Sequence, residues 1–125
     1  MGRRHWPTKL KEGSRMKHPS SDLQSCIEEC LRCYRTCLGA AMGHCLEQGG
    51  RHVAPEHFRL MMSCAEICRT SAHIMLTGSN LHRKSCAACA EICDACAEDC
   101  AKLDGMADCV TACRRCAESC RKMAA

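Results

Sequence analysis

From residue 21 onward, small or apolar residues recur every three or four positions, and charged residues fill the gaps. Such spacing returns side chains to one face of an α-helix, so each run predicts an amphipathic helix with a single inward stripe. The stripe residues are mostly cysteine. Cys26, Cys30, Cys33 and Cys37 form the first set, followed after eight residues by Cys45. On the second, Cys64 and Cys68 share a face with His57, Met61, Ser71 and Met75. Cys86, Cys89, Cys93, Cys96 and Cys100 make the third, and Cys109, Cys113, Cys116 and Cys120 the fourth. Glu28, Glu29, Arg32 and Arg35 lie between the first set, and Arg114, Arg115, Arg121 and Lys122 between and after the last. These read as solvated faces, with Glu28 and Arg32 spaced for a weak exposed pair.

Turn chemistry sets the boundaries. Ser21 and Gln24 have capping-box spacing at the first start, and Gly49 with Gly50 stops that helix. Pro55 suits a first turn and Gly78 an ending. Asn80 is placed to cap a third helix running to Leu103, and Asp104-Gly105 turns the chain into a fourth from Met106 to Met123. Connections this short force neighbouring helices to run antiparallel. The expectation is an all-α fold: an up-down-up-down four-helix bundle over residues 21–125 with a cysteine-lined core. Its helices, about 20 to 27 residues each, would be roughly 30 to 40 Å long. The pattern Cys-x-x-x-Cys-x-x-Cys-x-x-x-Cys starts at Cys26, Cys89 and Cys109, so the seam is an internal repeat.

Composition makes the core unusual. Leu, Ile, Val and Phe together number only sixteen of 125 residues, against sixteen Cys and sixteen Ala. A net charge of +4 is too low for that scarcity to signal a disordered chain. Residues 1–20 carry Arg3, Arg4, Lys9, Lys11, Arg15 and Lys17 and read as a basic arm or short helix on the body. Trp6 is their one aromatic, so a solvated tail fits better than a nucleic-acid module. No apolar run follows the Arg3-Arg4 pair, and no stretch has the length to cross a bilayer, so the expected compartment is the reducing cytoplasm, with no membrane partner.

Free cysteine can act as a small hydrophobe, which would account for two or three residues but not for sixteen on every inner face. Reduced thiols at this density suit soft metals: Cu(I), Zn(II) or an iron-sulfur cluster. Charge separates them. A Cu(I) ion with one thiolate equivalent is neutral, whereas four Zn(II) ions with four thiolates each would bury eight negative charges, and no Lys or Arg lies on the stripes. Cys26, Cys30 and Cys33 match the spacing of a radical-enzyme cluster, and Cys86 with Cys89 that of a redox dithiol. Either would leave most of the other thiols unexplained. Under antiparallel topology His44, Cys45, His57, Met61 and Met106 meet at one end, and Met75, His82 and Met123 at the other. For each of these methionines, core filler and soft ligand both fit the spacing. The first end, with two histidines, two methionines and a thiol, is the expected mouth.

The three seam copies and four helices in about 105 residues resemble the bacterial copper storage proteins, specifically the cytosolic branch, over residues 21–124. The resemblance implies a non-enzymatic bundle, commonly a homotetramer, holding many Cu(I) ions on all sixteen cysteines and filled through one end. A copper chaperone or cuproenzyme as donor or recipient is the implied partner. A zinc or cadmium thiolate buffer and a dithiol redox protein are the competing readings.

Overall fold

The computed structural model describes residues 20–125, and the expected arm lies outside them apart from Ser20. Among the described residues there are helices and no strands. Helix α1 spans Ser21–Ala40, continues through a π-helical segment Ala41–Cys45 and ends in one further turn, Leu46–Gln48. A 3₁₀ turn, Gly50–Val53, leads into α2, Pro55–Thr77. Helices α3, His82–Cys100, and α4, Ala107–Ala124, complete the bundle.

Local chemistry explains the ends. Ser20, not Ser21, caps α1: its hydroxyl accepts from the Leu23 amide at 3.1 Å, so the cap lies one residue before the expected box and Gln24 only begins the helical ladder on Ser20. Pro55 occupies the first turn of α2 as expected, and Gly78 closes it at φ 82°. The α3 start differs from expectation. Asn80 caps nothing; Leu81 is the half-in residue, its amide bound to Ser79 Oγ at 3.0 Å. Helix α3 also ends at Cys100 rather than Leu103, because the chain tightens into turns over residues 101–105.

The π segment resolves the eight-residue step. In a regular α-helix eight residues overshoot the starting face by about 80°, which would swing Cys45 out of the core. The wider i→i+5 turn takes up that excess, and Ala41 and Cys45 are both fully buried. Gly39 and Gly43 sit in and beside this stretch, where a regular α-turn is least favoured.

Sulfur contacts set the register. Cys26 meets Cys120 at one end of the α1–α4 pair and Cys37 meets Cys113 further along, at 3.7 and 3.5 Å, so these helices are antiparallel. Cys68 with Cys89 and Cys64 with Cys93, both at 3.7 Å, make α2 and α3 antiparallel too. Thiols occupy the axis, flanked by buried alanines such as Ala65, Ala72, Ala90 and Ala117. Large apolar residues are displaced to the seams: Leu31, Leu38, Phe58, Ile67, Ile92 and Val110 are only partly buried, and Ile27 is the one buried branched aliphatic among the described residues. Outside, Glu29 pairs with Arg32 at 3.8 Å and with Arg115 of α4 at 2.7 Å, replacing the expected Glu28–Arg32 pair. These exposed contacts are worth little.

Two glycines give a test of the turns. Gly78 and Gly105 both have positive φ, but a Cβ on Gly78 meets open space while one on Gly105 would lie 2.6 Å from His44 Nε2. Gly78→Ala should cost about 1 kcal/mol of backbone strain. Gly105→Ala should lower the apo protein's melting temperature further, since it must also displace the His44 ring; thermal unfolding of both variants checks the order.

Candidate metal centre

Helical spacing aims the stripes inward, and packing four of them together produces a continuous sulfur column. All sixteen cysteines are free thiols, fifteen with 0 % exposure and Cys109 with 2 %. Three four-thiol groups and one three-thiol group have their sulfurs within 4.8 Å of one another. In order along the bundle they are Cys26, Cys86 and Cys120; then Cys30, Cys89, Cys116 and Cys120; then Cys33, Cys68, Cys93 and Cys116; then Cys33, Cys37, Cys64 and Cys113. Cys120, Cys116 and Cys33 each belong to two successive groups, so every layer shares a sulfur with the next. A soft ion bound in one layer has ligands of the adjacent layer within reach.

Cys45, Cys96, Cys100 and Cys109 fall outside these compact groups and lie toward the end carrying the 41–54 and 101–106 connections. Here other donors join the sulfur. Met61 Sδ lies 3.7 Å from Cys96 Sγ and 3.4 Å from Cys100 Sγ. Cys45 Sγ lies 3.8 Å from both His57 Nε2 and Met106 Sδ. Cys109 Sγ contacts the Thr36 carbonyl oxygen at 3.8 Å. Of the expected mouth residues, therefore, Cys45, His57 and Met106 converge, and Met61 lies beside the next thiols inward.

His44 does not join them. Its Nε2 is 3.2 Å from the Asp104 carbonyl oxygen, which His52 Nε2 also reaches at 2.9 Å, and the two imidazoles meet edge to face at 5.1 Å between centroids. The pair fastens the α3–α4 connection to the end of α1. Sequence reading missed both His52, which follows no stripe, and Asp99, whose carboxylate Oδ2 is 2.6 Å from His57 Nδ1. Asp99 belongs to the polar side of its own helix, and only the α2–α3 packing brings it to His57.

At the opposite end Met75 Sδ lies 3.8 Å from Cys86 Sγ, His82 Nδ1 is tied to the Ser79 carbonyl at 2.8 Å, and Met123 is half-buried against the core. Ser71 occupies a stripe position on α2 between Cys68 and Met75 and is fully buried. Its hydroxyl is the one buried side-chain oxygen or nitrogen among the described residues without a hydrogen-bond partner. The two layers that contain Cys120 draw no thiol from α2.

The electrostatics follow from crowding. A thiolate on Cys100 is favoured by S–H donation from Cys109 and then Cys96, which holds its pKa well below the ordinary thiol range; Cys109, left as the donor to Cys100 and Cys37, is pushed up. Burial raises Cys45, helped by the neighbouring charges of Cys100 and Cys37. Ionisation at one sulfur thus opposes it at the next. His57, Ser71 and Ser85 are the buried polar or charged residues among those described, and no buried Lys or Arg offsets thiolate charge. Neutral occupancy demands either protons or cations that match thiolates about one for one, which Cu(I) does and Zn(II) does not.

The comparisons agree with this chemistry. A family profile described as copper storage protein matches residues 19–125. The chain is 63 % identical to the Nmul_A1745 protein from Nitrosospira multiformis, whose crystal structure superposes with a TM-score of 0.82 over 82 % of this chain and 94 % of that one. The Cu(I)-bound copper storage protein BsCsp3 of Bacillus subtilis shares 38 % identity and a TM-score of 0.77, covering 84 % of this chain and 100 % of its own. A cytosolic copper storage protein from Streptomyces lividans, solved with five coppers, gives 35 % and 0.72, covering 82 % and 92 %. An uncharacterised cysteine-rich protein of Bacillus subtilis, YhjQ, is 39 % identical over 81 residues, 65 % of this chain and 74 % of that protein. With a thiol-lined four-helix bundle on the one side and a profile match spanning all the described residues on the other, the chain belongs to the copper storage protein family.

Proposed function

We propose that this protein stores Cu(I) in the cytoplasm, holding many ions per chain on the thiolates that line its core. The observation that carries the reading is the unbroken column of buried free thiols with, among the described residues, no buried Lys or Arg beside it. Each incoming Cu(I) replaces a thiol proton, so the interior stays near neutrality as it fills, and coordination energy becomes bundle stability. All sixteen cysteines act as ligands in this reading. A zinc or cadmium buffer would leave about two negative charges per four-thiolate site uncompensated. An isolated redox pair is not distinguished from its neighbours by burial, since every cysteine is buried. The role involves no catalysis. No helix among the described residues is long and apolar enough to cross a membrane.

Copper enters where Cys45, His57 and Met106 converge, with Met61 receiving it beside Cys96 and Cys100. Nitrogen and thioether ligands exchange more readily than a closed thiolate layer, and shared sulfurs then carry the ion inward from layer to layer. His44 serves this mouth by holding the Asp104 connection in place, with its own ring available once that contact opens. A copper chaperone or cuproenzyme is the donor or recipient.

Assembly as a homotetramer, implied by likeness to the family, has a surface to use. The outer face of α2, with the end of the preceding connection, forms an open groove of about 620 Å³ lined by Leu46, Val53, Pro55, Phe58 and Met62 together with Arg59 and Ser63, and Met62 and Ser63 continue into a second groove with Glu66, Ile67, Thr70 and Ile92.

Anaerobic titration tests the storage reading: the apo protein should bind near or above sixteen Cu(I) per chain, set by its sixteen thiols, whereas about four to five metals, the same for Zn(II), would indicate tetrahedral thiolate sites instead. Replacing His57 and Met61 together by alanine should slow Cu(I) loading by about tenfold and leave capacity nearly intact; loss of most bound copper at an unchanged loading rate would overturn the mouth assignment. Met62→Arg, which replaces an apolar side chain of the α2 groove by a second positive charge beside Arg59, should shift the species seen by sedimentation velocity from tetramer to smaller forms.

A further inference from the structure

The shortest polar contact at the mouth involves a residue with no soft-metal chemistry of its own. His57 is 6 % exposed, and its Nδ1 lies 2.6 Å from Asp99 Oδ2, while the Asp99 side chain remains 32 % exposed at the edge of the bundle. The other ring nitrogen, Nε2, faces inward, 3.8 Å from Cys45 Sγ, which is itself 3.8 Å from Met106 Sδ. A neutral imidazole has one N–H and one lone pair, and the partner of the first decides where the second points. A carboxylate accepts from Nδ1–H. The lone pair then sits on Nε2, toward the thiol and the thioether. Flipping the ring would put Cδ2–H in place of Nδ1–H beside the carboxylate and Cε1–H in place of Nε2 beside the thiol, losing both contacts, so Asp99 and Cys45 together oppose it.

We propose that Asp99 is a positioning residue for copper capture: it fixes His57 as the Nδ1–H tautomer and aims Nε2 at the point where Cys45 and Met106 converge. A nitrogen, a thiol and a thioether are thereby set in advance around one small space at the outermost part of the column. Asp99 also directly precedes Cys100 on α3, and Cys100 Sγ lies 3.4 Å from Met61 Sδ. One helical turn therefore carries both the anchor of the outer ligand and the first thiol inward of it. A histidine held by an outer carboxylate binds metal better than a free one, and loss of such a partner commonly weakens binding by about 10- to 100-fold. The role of Asp99 in capture rests on this end being the mouth; the tautomer it imposes does not.

The test uses the full-length apo protein with ¹⁵N-labelled histidine, the His57 signals being identified by their absence from His57→Ala. Wild type should show a protonated Nδ1 and an unprotonated Nε2 at His57; the reverse pattern overturns the proposal without any variant. Asp99→Asn, with Asp99→Ser alongside in case one fails to fold, should mix the two tautomers and slow initial Cu(I) uptake from a chelator by about tenfold, with final capacity unchanged. A wild-type tautomer or a wild-type uptake rate in the folded variant overturns it. If His57→Ala itself loads at the wild-type rate, the mouth reading fails instead, and the tautomer result identifies which of the two was wrong.

Discussion

Sixteen sulfurs packed along one axis can be buried only if they carry almost no net charge. Charges interact several-fold more strongly in a protein interior than in water, and among the described residues no lysine or arginine is buried in this core to absorb an excess. Protonated thiols satisfy the condition in the empty protein. Thiolates matched by monovalent ions satisfy it in the filled one. The fold therefore accommodates two chemically different interiors with the same net charge, and exchange of protons for copper moves between them without asking the bundle to bury ions unpaired.

The same constraint shapes the packing. Cysteine and alanine are small, so the helices approach closely and sulfurs of neighbouring helices come to 3.5–3.9 Å. Hydrocarbon bulk does not fit at that distance and moves to the seams between helices, where Leu31, Phe58, Ile67 and Ile92 seal the column from its sides. The stability of the empty bundle then rests on these seams and on weak S–H contacts, while the metal supplies what an aliphatic core would otherwise contribute. An interior made this way has no use for a mobile lid. Its layers are joined by shared sulfurs, and access is confined to the ends.

The two ends differ because irregular backbone is concentrated at one of them. The π segment Ala41–Cys45 brings a thiol back to the axis beyond the last regular turn of the α1 stripe, and the 101–106 connection delivers Met106 opposite it. His44 and His52 bind the Asp104 carbonyl from the other side, holding that connection against α1. Around His57 the side chains that meet are no longer thiols alone but thiol, thioether and imidazole together. At the far end, Met75 and Cys86 meet without a converging histidine, and Ser71 leaves a hydroxyl unpaired where α2 contributes no thiol.

The stripes, their three-four spacing and the short glycine-marked connections determined the antiparallel bundle, the inward direction of every cysteine on a three-four step, and the gathering of Cys45, His57 and Met106 at one end, while the eight-residue step left the inward turn of Cys45 itself to the packing. Helical periodicity is a local property, and short loops leave only one way for adjacent helices to run. Helix ends were less legible, as Ser20 and Leu81 show, because competing polar residues stand within one or two positions of each other. Three features came only from tertiary structure. The π turn depends on whether burying Cys45 outweighs a regular ladder, His44 binds the Asp104 carbonyl instead of joining the column, and Asp99 meets His57 across the α2–α3 seam. Each is a contact between residues 40 or more apart, or a backbone adjustment made for one, and periodicity says which face a residue occupies but not which atom waits on the helix opposite.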